Sequence, residues 1–315
     1  MRFVHTALDN SCKARSFDDS ECSESTVNSD ESSVHLYAFN KLDIFARGTF
    51  YIDGKLDFDS ESDIRRDLDA LQLLKEFPSA TFHECIRFRT ERSMESARDK
   101  LRSYFKWRSS NDMDRSTYMN VTWNNEEDIW NMALRHASDM CPNSVPYQNV
   151  PQFIRSGLFC PINQKRIVQI MAGMIDPSVA SLEFYSLVFA MYFDLFFERD
   201  SMESVVVFVD VRSGRGWKNC NAPSLIPFIK SLAQHLDHFP ERLSQCIVYP
   251  VPKPAKPFWI AVKSFLKERV LRKIQIHWGY PFTKSPPPKS LYHDFEEETI
   301  AQLESTRIQS FYSKS

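Results

Sequence analysis

Apolar positions along the chain change period several times, and each change marks an element. Val205–Val211 (VVVFVDV) is almost unbroken aliphatic and aromatic sequence ending on an aspartate, the pattern of a strand covered on both faces. After the turn Arg212–Gly216, Phe228, Leu232, Leu236 and Phe239 recur at helical spacing from Pro227 to Phe239. The short run Cys246–Tyr249 reads as a second strand, Pro254 to about Val270 as an aromatic, amphipathic helix, and Ile274–Gly279 (IQIHWG) as a third strand. Strand, helix, strand, helix, strand predicts a parallel sheet flanked by helices. Ile167–Met171 is a further buried-strand candidate. Val179–Phe197 follows a helical period and carries Glu183 and Asp194, so it reads as a core helix rather than a membrane span.

Upstream, the periodicity is helical. Ile64, Leu68, Leu71 and Leu74 fall on one predicted face before Pro78. Ala97, Leu101, Tyr104 and Phe105 mark another, with Ser93 as the cap. Asn125–Met140 predicts an amphipathic helix, followed by a linker broken by Pro142, Pro146 and Pro151. Asp9–Ser33 is rich in Ser, Asp and Glu and cannot bury enough surface to order itself. Asp53-Gly54 is a hairpin signal within Leu36–Phe58. After Pro286-Pro287-Pro288, an acidic helix is expected from Asp294 to Phe311. These readings divide the chain into a tail at 1–35, a lead segment at 36–62, a helical lobe and linker at 63–145, an α/β domain at 146–282 and a C-terminal segment at 283–315.

Composition narrows the functions this architecture can serve. With only 7 glycines and no GxGxxG or GxxxxGK[ST], a glycine-rich phosphate loop is excluded. A net charge of −2 gives no broad footprint for nucleic acid. The 7 cysteines are dispersed without a CxxC pair, which fits free thiols in a reducing compartment; with no export signal, a cytoplasmic protein is expected. No GxSxG elbow, HExxH or other catalytic constellation is present, so no enzyme, metal or cofactor is expected. His235 and His238, at i and i+3, read as packing or surface residues, and His277 as a satisfied core histidine.

The strand ending VDV at Val209–Val211, Pro240-Glu241-Arg242, the strand Ile247–Pro250, the helix FWIAVKSFLKERV at Phe258–Val270 and RKIQIHWG at Arg272–Gly279 follow one another in an order and spacing that resembles the CRAL-TRIO family. That family includes fungal phosphatidylinositol transfer proteins and animal tocopherol and retinal carriers. The segment Cys85–Trp107 resembles the family's small N-terminal helical lobe, with an arginine-rich turn shorter by one or two residues. The resemblance implies an α/β fold enclosing an apolar cavity for one lipid, exchanged at membranes.

It also implies roles for particular residues. Glu241 and Lys273 match a glutamate and a lysine that clamp an inositol phosphate headgroup; a fold-stabilising ion pair is the other reading. Parallel strands start at the same sheet edge, which brings the two charges together. Arg89 and Arg92 both qualify as the lobe's headgroup-contacting arginine. The helix bearing Phe258, Trp259, Val262 and Phe265 resembles a gate over the cavity, with Lys256, Lys263, Lys267 and Arg269 positioned to meet an anionic membrane. Phosphatidylcholine-binding relatives carry Ser and Thr where this chain has Val205 and Val207, which disfavours that lipid. Phosphatidylinositol is the expected ligand. A sterol, tocopherol or retinoid, or a decayed pocket serving as an interaction module for a protein partner, are the alternatives.

Overall fold

The computed structural model of the chain describes residues 61–89, 93–114, 126–141, 149–160, 165–214 and 222–312. All belong to one unit, Ser60–Ser315. The expected 1–35 tail, all but the last two residues of the 36–62 lead segment, the Asp53-Gly54 hairpin, the Asn125 cap and Arg92 lie outside the described residues.

Three helices form the N-terminal lobe: α1 (Glu61–Glu76), α2 (Phe82–Arg89) and α3 (Met94–Ser110). Ser93 caps α3 as expected, its side chain accepting from the Ser96 amide at 3.1 Å, and Ala97, Leu101 and Tyr104 are buried. The expected face of α1 is corrected. Ala70 and Leu73 are fully buried, whereas Leu68 is 61% exposed. Two apolar stripes of the same period coexist on this helix, and small Ala70 marks the one that lets it approach its neighbour. Helix α4 (Glu126–Met140) buries Ile129, Trp130, Ala133 and His136, and helix α5 (Leu182–Phe196) is buried along nearly its whole length. Asp194, an acid in that apolar helix, sits against Arg108 and accepts from the Tyr104 hydroxyl at 3.2 Å, tying the lobe to the domain. Burial outweighs these partners and holds the Asp194 carboxyl above the usual carboxylate range.

The sheet has five strands in the order β1-β2-β3-β4-β5: β1 (Ile154–Phe159), β2 (Arg166–Met171), β3 (Val205–Asp210), β4 (Leu243–Val251) and β5 (Ile274–Trp278). Strands β2 to β5 are parallel, and β1 pairs with β2 antiparallel at one edge. Strand β1 was not foreseen, because Arg155, Ser156 and Gly157 interrupt its apolar pattern. The strand period of two sorts side chains onto two faces. Val168, Ile170, Val205 and Val207 face α4 and α5, within the larger core. Ile167, Val206, Phe208, Ile247 and Tyr249 face the C-terminal helices α9 (Leu291–Asp294) and α10 (Glu297–Tyr312), which bury Leu291, Phe295, Ile300 and Leu303 against them.

Crossover helices link the parallel strands. Helix α6 (Ala222–Leu236), between β3 and β4, starts earlier than expected and carries Pro227 inside rather than at its start. The expected helix Pro254–Val270 is also corrected. After a 3-10 turn at Lys253–Ala255, helix α7 runs only from Lys256 to Lys263, with Pro257 in its first turn, and a separate turn of helix, α8, spans Glu268–Leu271. The break has a local cause. The Ser264 hydroxyl donates to the Ala261 carbonyl at 2.7 Å, and the backbone tightens to i, i+3 bonds there.

Candidate functional site

A cavity of about 320 Å³ lies between the sheet and its crossover helices. Ile170, Val207, Val209 and Cys246 form its sheet wall, Phe189 and Phe193 of α5 its floor, and Leu232, Ala233 and Leu236 of α6, with Phe239, a side wall. The segment Phe265–Val270, which runs through the break into α8, closes the remaining side. These walls are apolar because strand periodicity and the helical spacing of α5 and α6 direct branched and aromatic side chains to one place. Burial pushes the Cys246 thiol up to about 12, so this cysteine is an inert wall residue rather than a nucleophile.

Charge gathers at one end of the cavity, where β4 and β5 begin. Glu241 and Lys273 are brought together there, with Lys273 Nζ donating to Glu241 Oε2 at 3.2 Å and to the Leu243 carbonyl at 2.7 Å. Arg269 approaches the other Glu241 oxygen at 3.6 Å. All three side chains keep about a third of their surface exposed, at 33% for Glu241, 34% for Arg269 and 28% for Lys273. Glu241 adopts a φ of 58°, the left-handed region, in the tight turn that leads into β4. Lys267 donates twice to Asp237 at 2.7 Å, which fastens the segment after α7 to the end of α6. Lys230, Arg242, Lys267, Arg269 and Lys273 line the cavity against two carboxylates, Asp237 and Glu241, so positive charge is in excess.

Arg242 is a residue that sequence reasoning quoted within Pro240-Glu241-Arg242 but gave no role. It is buried, stacks on Phe197 and donates to three backbone carbonyls, those of Ser201 and Glu203 at 3.0 Å and Glu198 at 2.6 Å. Burial, with Arg87 nearby, lowers its guanidinium to about 10. Arg242 thus fixes the connection between α5 and β3 and, through its neighbour, the position of Glu241.

The other expected site residues divide between the cavity and its surroundings. Phe265 lines the cavity, but Phe258, Trp259 and Val262 are not among its lining residues. Val262 is buried where α7 packs on α6, Phe258 and Trp259 are half-buried, and Lys263 lies over the Trp259 ring at 5.4 Å. The break at Ser264 hands the closing role to Phe265, Leu266 and Val270. Arg89 donates to Asp69 Oδ2 at 2.6 Å, within the lobe and away from the cavity lining. Lys256, Lys263 and Lys267 are exposed, and Arg269 is half-buried at the rim. His235 and His238 pack around Trp107, His238 stacked at 5.3 Å between centroids. Burial, with His235 beside it, lowers His238 to about 4. His277 is buried with its Nδ1 3.0 Å from the Ser290 hydroxyl.

A second charge cluster lies at the opposite end of β3. Asp210 accepts from Arg212 at 2.6 Å, Arg212 also reaches Glu304 of α10, and Arg307 Nε lies 3.0 Å from Asp210. Burial alone would lower the Arg212 guanidinium, but its bonds to Glu304 and Asp210 outweigh that and hold it above its ordinary value. This cluster locks the C-terminal helix to the sheet.

Among the described residues no helix is long and apolar enough to cross a membrane. No curated protein matches the chain. The crystal structure of Sfh5 aligns over 79% of this chain and 82% of its own, at 14% identity and a TM-score of 0.39. The CRAL/TRIO domain family matches residues 162–296, a span that contains β2 to β5, every residue lining the cavity and the Glu241–Lys273 rim. It is this span of the chain, residues 162–296, that matches the CRAL/TRIO domain.

Proposed function

We propose that this chain holds one lipid, phosphatidylinositol, in the cavity and exchanges it at membranes. A CRAL/TRIO domain supports lipid binding in general; the headgroup assignment rests on the charged rim. An apolar chamber that ends in Lys273 and Arg269, both drawn to Glu241, offers excess positive charge to a phosphodiester, while the Glu241 carboxylate can accept from inositol hydroxyls. A sterol, tocopherol, retinol or retinal carries no anion and would leave that rim unused.

At about 320 Å³ the cavity is near the lower end of the range for small-molecule sites, roughly 300–1,000 Å³. A two-chain phospholipid therefore needs it to open. Segment Phe265–Val270 is the wall to move, since the break at Ser264 separates it from α7 and the exposed Lys267–Asp237 pair is its fastening. An anionic membrane competes for Lys267 together with Lys256, Lys263 and Arg269, loosening that fastening where exchange is needed. No catalytic step is part of this reading.

The test is a transfer assay between vesicles, paired with mass spectrometry of lipids retained by the purified protein. Wild type is expected to retain about one phosphatidylinositol per chain, and Lys273→Ala to lose transfer by roughly tenfold or more while remaining folded. Retention of a neutral apolar ligand alone, or transfer unchanged in the variant, would overturn the assignment.

A further inference from the structure

Beyond β5 the chain presents an aromatic pair to solvent. Tyr280 is 75% exposed and Phe282 is 67% exposed, their rings nearly parallel at 7° with centroids 6.3 Å apart. Trp278, at the end of β5, is exposed beside them in sequence. Such area in water is costly unless something covers it.

Their exposure is built into the backbone. The Gly279 amide donates to the Val251 carbonyl at 2.9 Å. Pro281 accepts from both the amide and the hydroxyl of Ser213, at 2.8 and 3.0 Å. Buried Arg212 donates to the Ser285 carbonyl at 2.8 Å. A Cβ on Gly279 would come within 2.8 Å of the Pro250 ring, so the backbone here is packed closely against its base.

Lysine predominates at this edge, with Asp294, 3.5 Å from His277 of β5, as an acid among the lysines. Strands β4 and β5 are parallel and leave the sheet at the same edge, Val251 opposite Trp278. Neither Val251–Lys267 nor Ile274–His293 contains an acidic residue, while Lys253, Lys256, Lys284 and Lys289 are all exposed. Aromatic side chains ringed by lysines suit the boundary between anionic headgroups and acyl chains. A second copy of the chain would set lysine against lysine.

We infer that the Tyr280–Phe282 loop is a docking surface for anionic lipid bilayers, distinct from the cavity rim. Lys273 and Trp278 stand at opposite ends of β5, about 17 Å apart along the strand. Docking through this loop holds the protein at a bilayer by a face that leaves the rim unoccupied, and it does not depend on which ligand fills the cavity.

Co-sedimentation of the full chain with vesicles of phosphatidylcholine and phosphatidylserine, against phosphatidylcholine alone, tests this. Wild type is expected to bind the anionic vesicles and to be released as salt rises. Tyr280→Ser combined with Phe282→Ser is expected to weaken binding about tenfold or more, the scale of losing two interfacial aromatics. Lys284→Glu with Lys289→Glu is expected to reduce the preference for the anionic vesicles severalfold, Lys253, Lys256 and the rim cations remaining. Thermal unfolding and retained lipid are expected to stay as in wild type for both, which separates this result from any failure of the cavity assignment. Aromatic variants that sediment like wild type would overturn the inference. So would wild type that ignores vesicles, or wild type that self-associates in sedimentation velocity through the same two residues.

Discussion

Two charge clusters sit at opposite ends of the sheet, and their surroundings differ more than their chemistry. Asp210, Arg212 and Arg307 are almost fully buried with Glu304 closing the group, and every guanidinium there meets a carboxylate. Glu241, Arg269 and Lys273 keep a third of their surface in water, and one carboxylate serves two cations. A buried network in which each guanidinium already faces a carboxylate has little capacity left for a ligand and is expensive to disturb. A half-exposed, cation-rich one contributes little to the fold and can accept an anion. Burial and charge balance, more than residue type, separate scaffold from candidate site.

The largest expected effect sharpens that contrast directly. Arg212→Met leaves buried Asp210 with Arg307 as its remaining cation and deprives Glu304 of its guanidinium, and is expected to cost about 3 kcal/mol in urea unfolding, while Glu241→Gln is expected to cost under about 1 kcal/mol. Equal losses in the two variants would erase the distinction between the clusters.

A second effect concerns ligand linkage. Phosphatidylinositol supplied at about 100 times its dissociation constant stabilises the folded chain by about 2.7 kcal/mol if it binds only the native state. That gain is expected in wild type and to be much smaller in Lys273→Ala at the same lipid concentration. Calorimetric melting with and without lipid measures it, and an undiminished gain in the variant would detach the rim from the ligand.

A third effect is a pH dependence that belongs to neither cluster. His238 is held neutral against Trp107, its folded value of about 4 lying below the ordinary 6.5. Between those values the unfolded chain binds the extra proton, so stability is full above about 6.5 and is lost as pH falls toward 4. His238→Phe is expected to flatten unfolding midpoints across that window. A slope identical to wild type would assign the acid sensitivity to other groups.

The same contrast explains what could be read from the sequence. Strands β2 and β3 and helix α5 announce themselves because both faces of the sheet are covered there and their apolar runs are long, whereas β5 shows as an alternation of apolar and polar residues. Glu241 and Lys273 could be paired in advance because parallel strands begin at one edge, and the structure brings them to 3.2 Å. The break after α7 could not be read, because Phe265 and Leu266 continue the apolar spacing while Ser264 diverts the backbone through a single hydroxyl. Arg242 was passed over for a related reason: its partners are carbonyls, which leave no trace in side-chain patterns. The buried cluster joins residues of β3 to a helix some ninety positions later, a separation that no local period encodes.

The φ of 58° at Glu241 sets two kinds of selection against each other. The backbone there is most comfortable with glycine, or with asparagine or aspartate, while a β-branched residue would be strained by about 1–2 kcal/mol. Glutamate is therefore not the residue that folding alone favours. Substitutions that ease the turn remove or shorten the carboxylate that both Arg269 and Lys273 approach. Under the headgroup role proposed for Glu241, substitutions that relax the backbone and substitutions that keep the ligand contact are expected to pull in opposite directions at this one position.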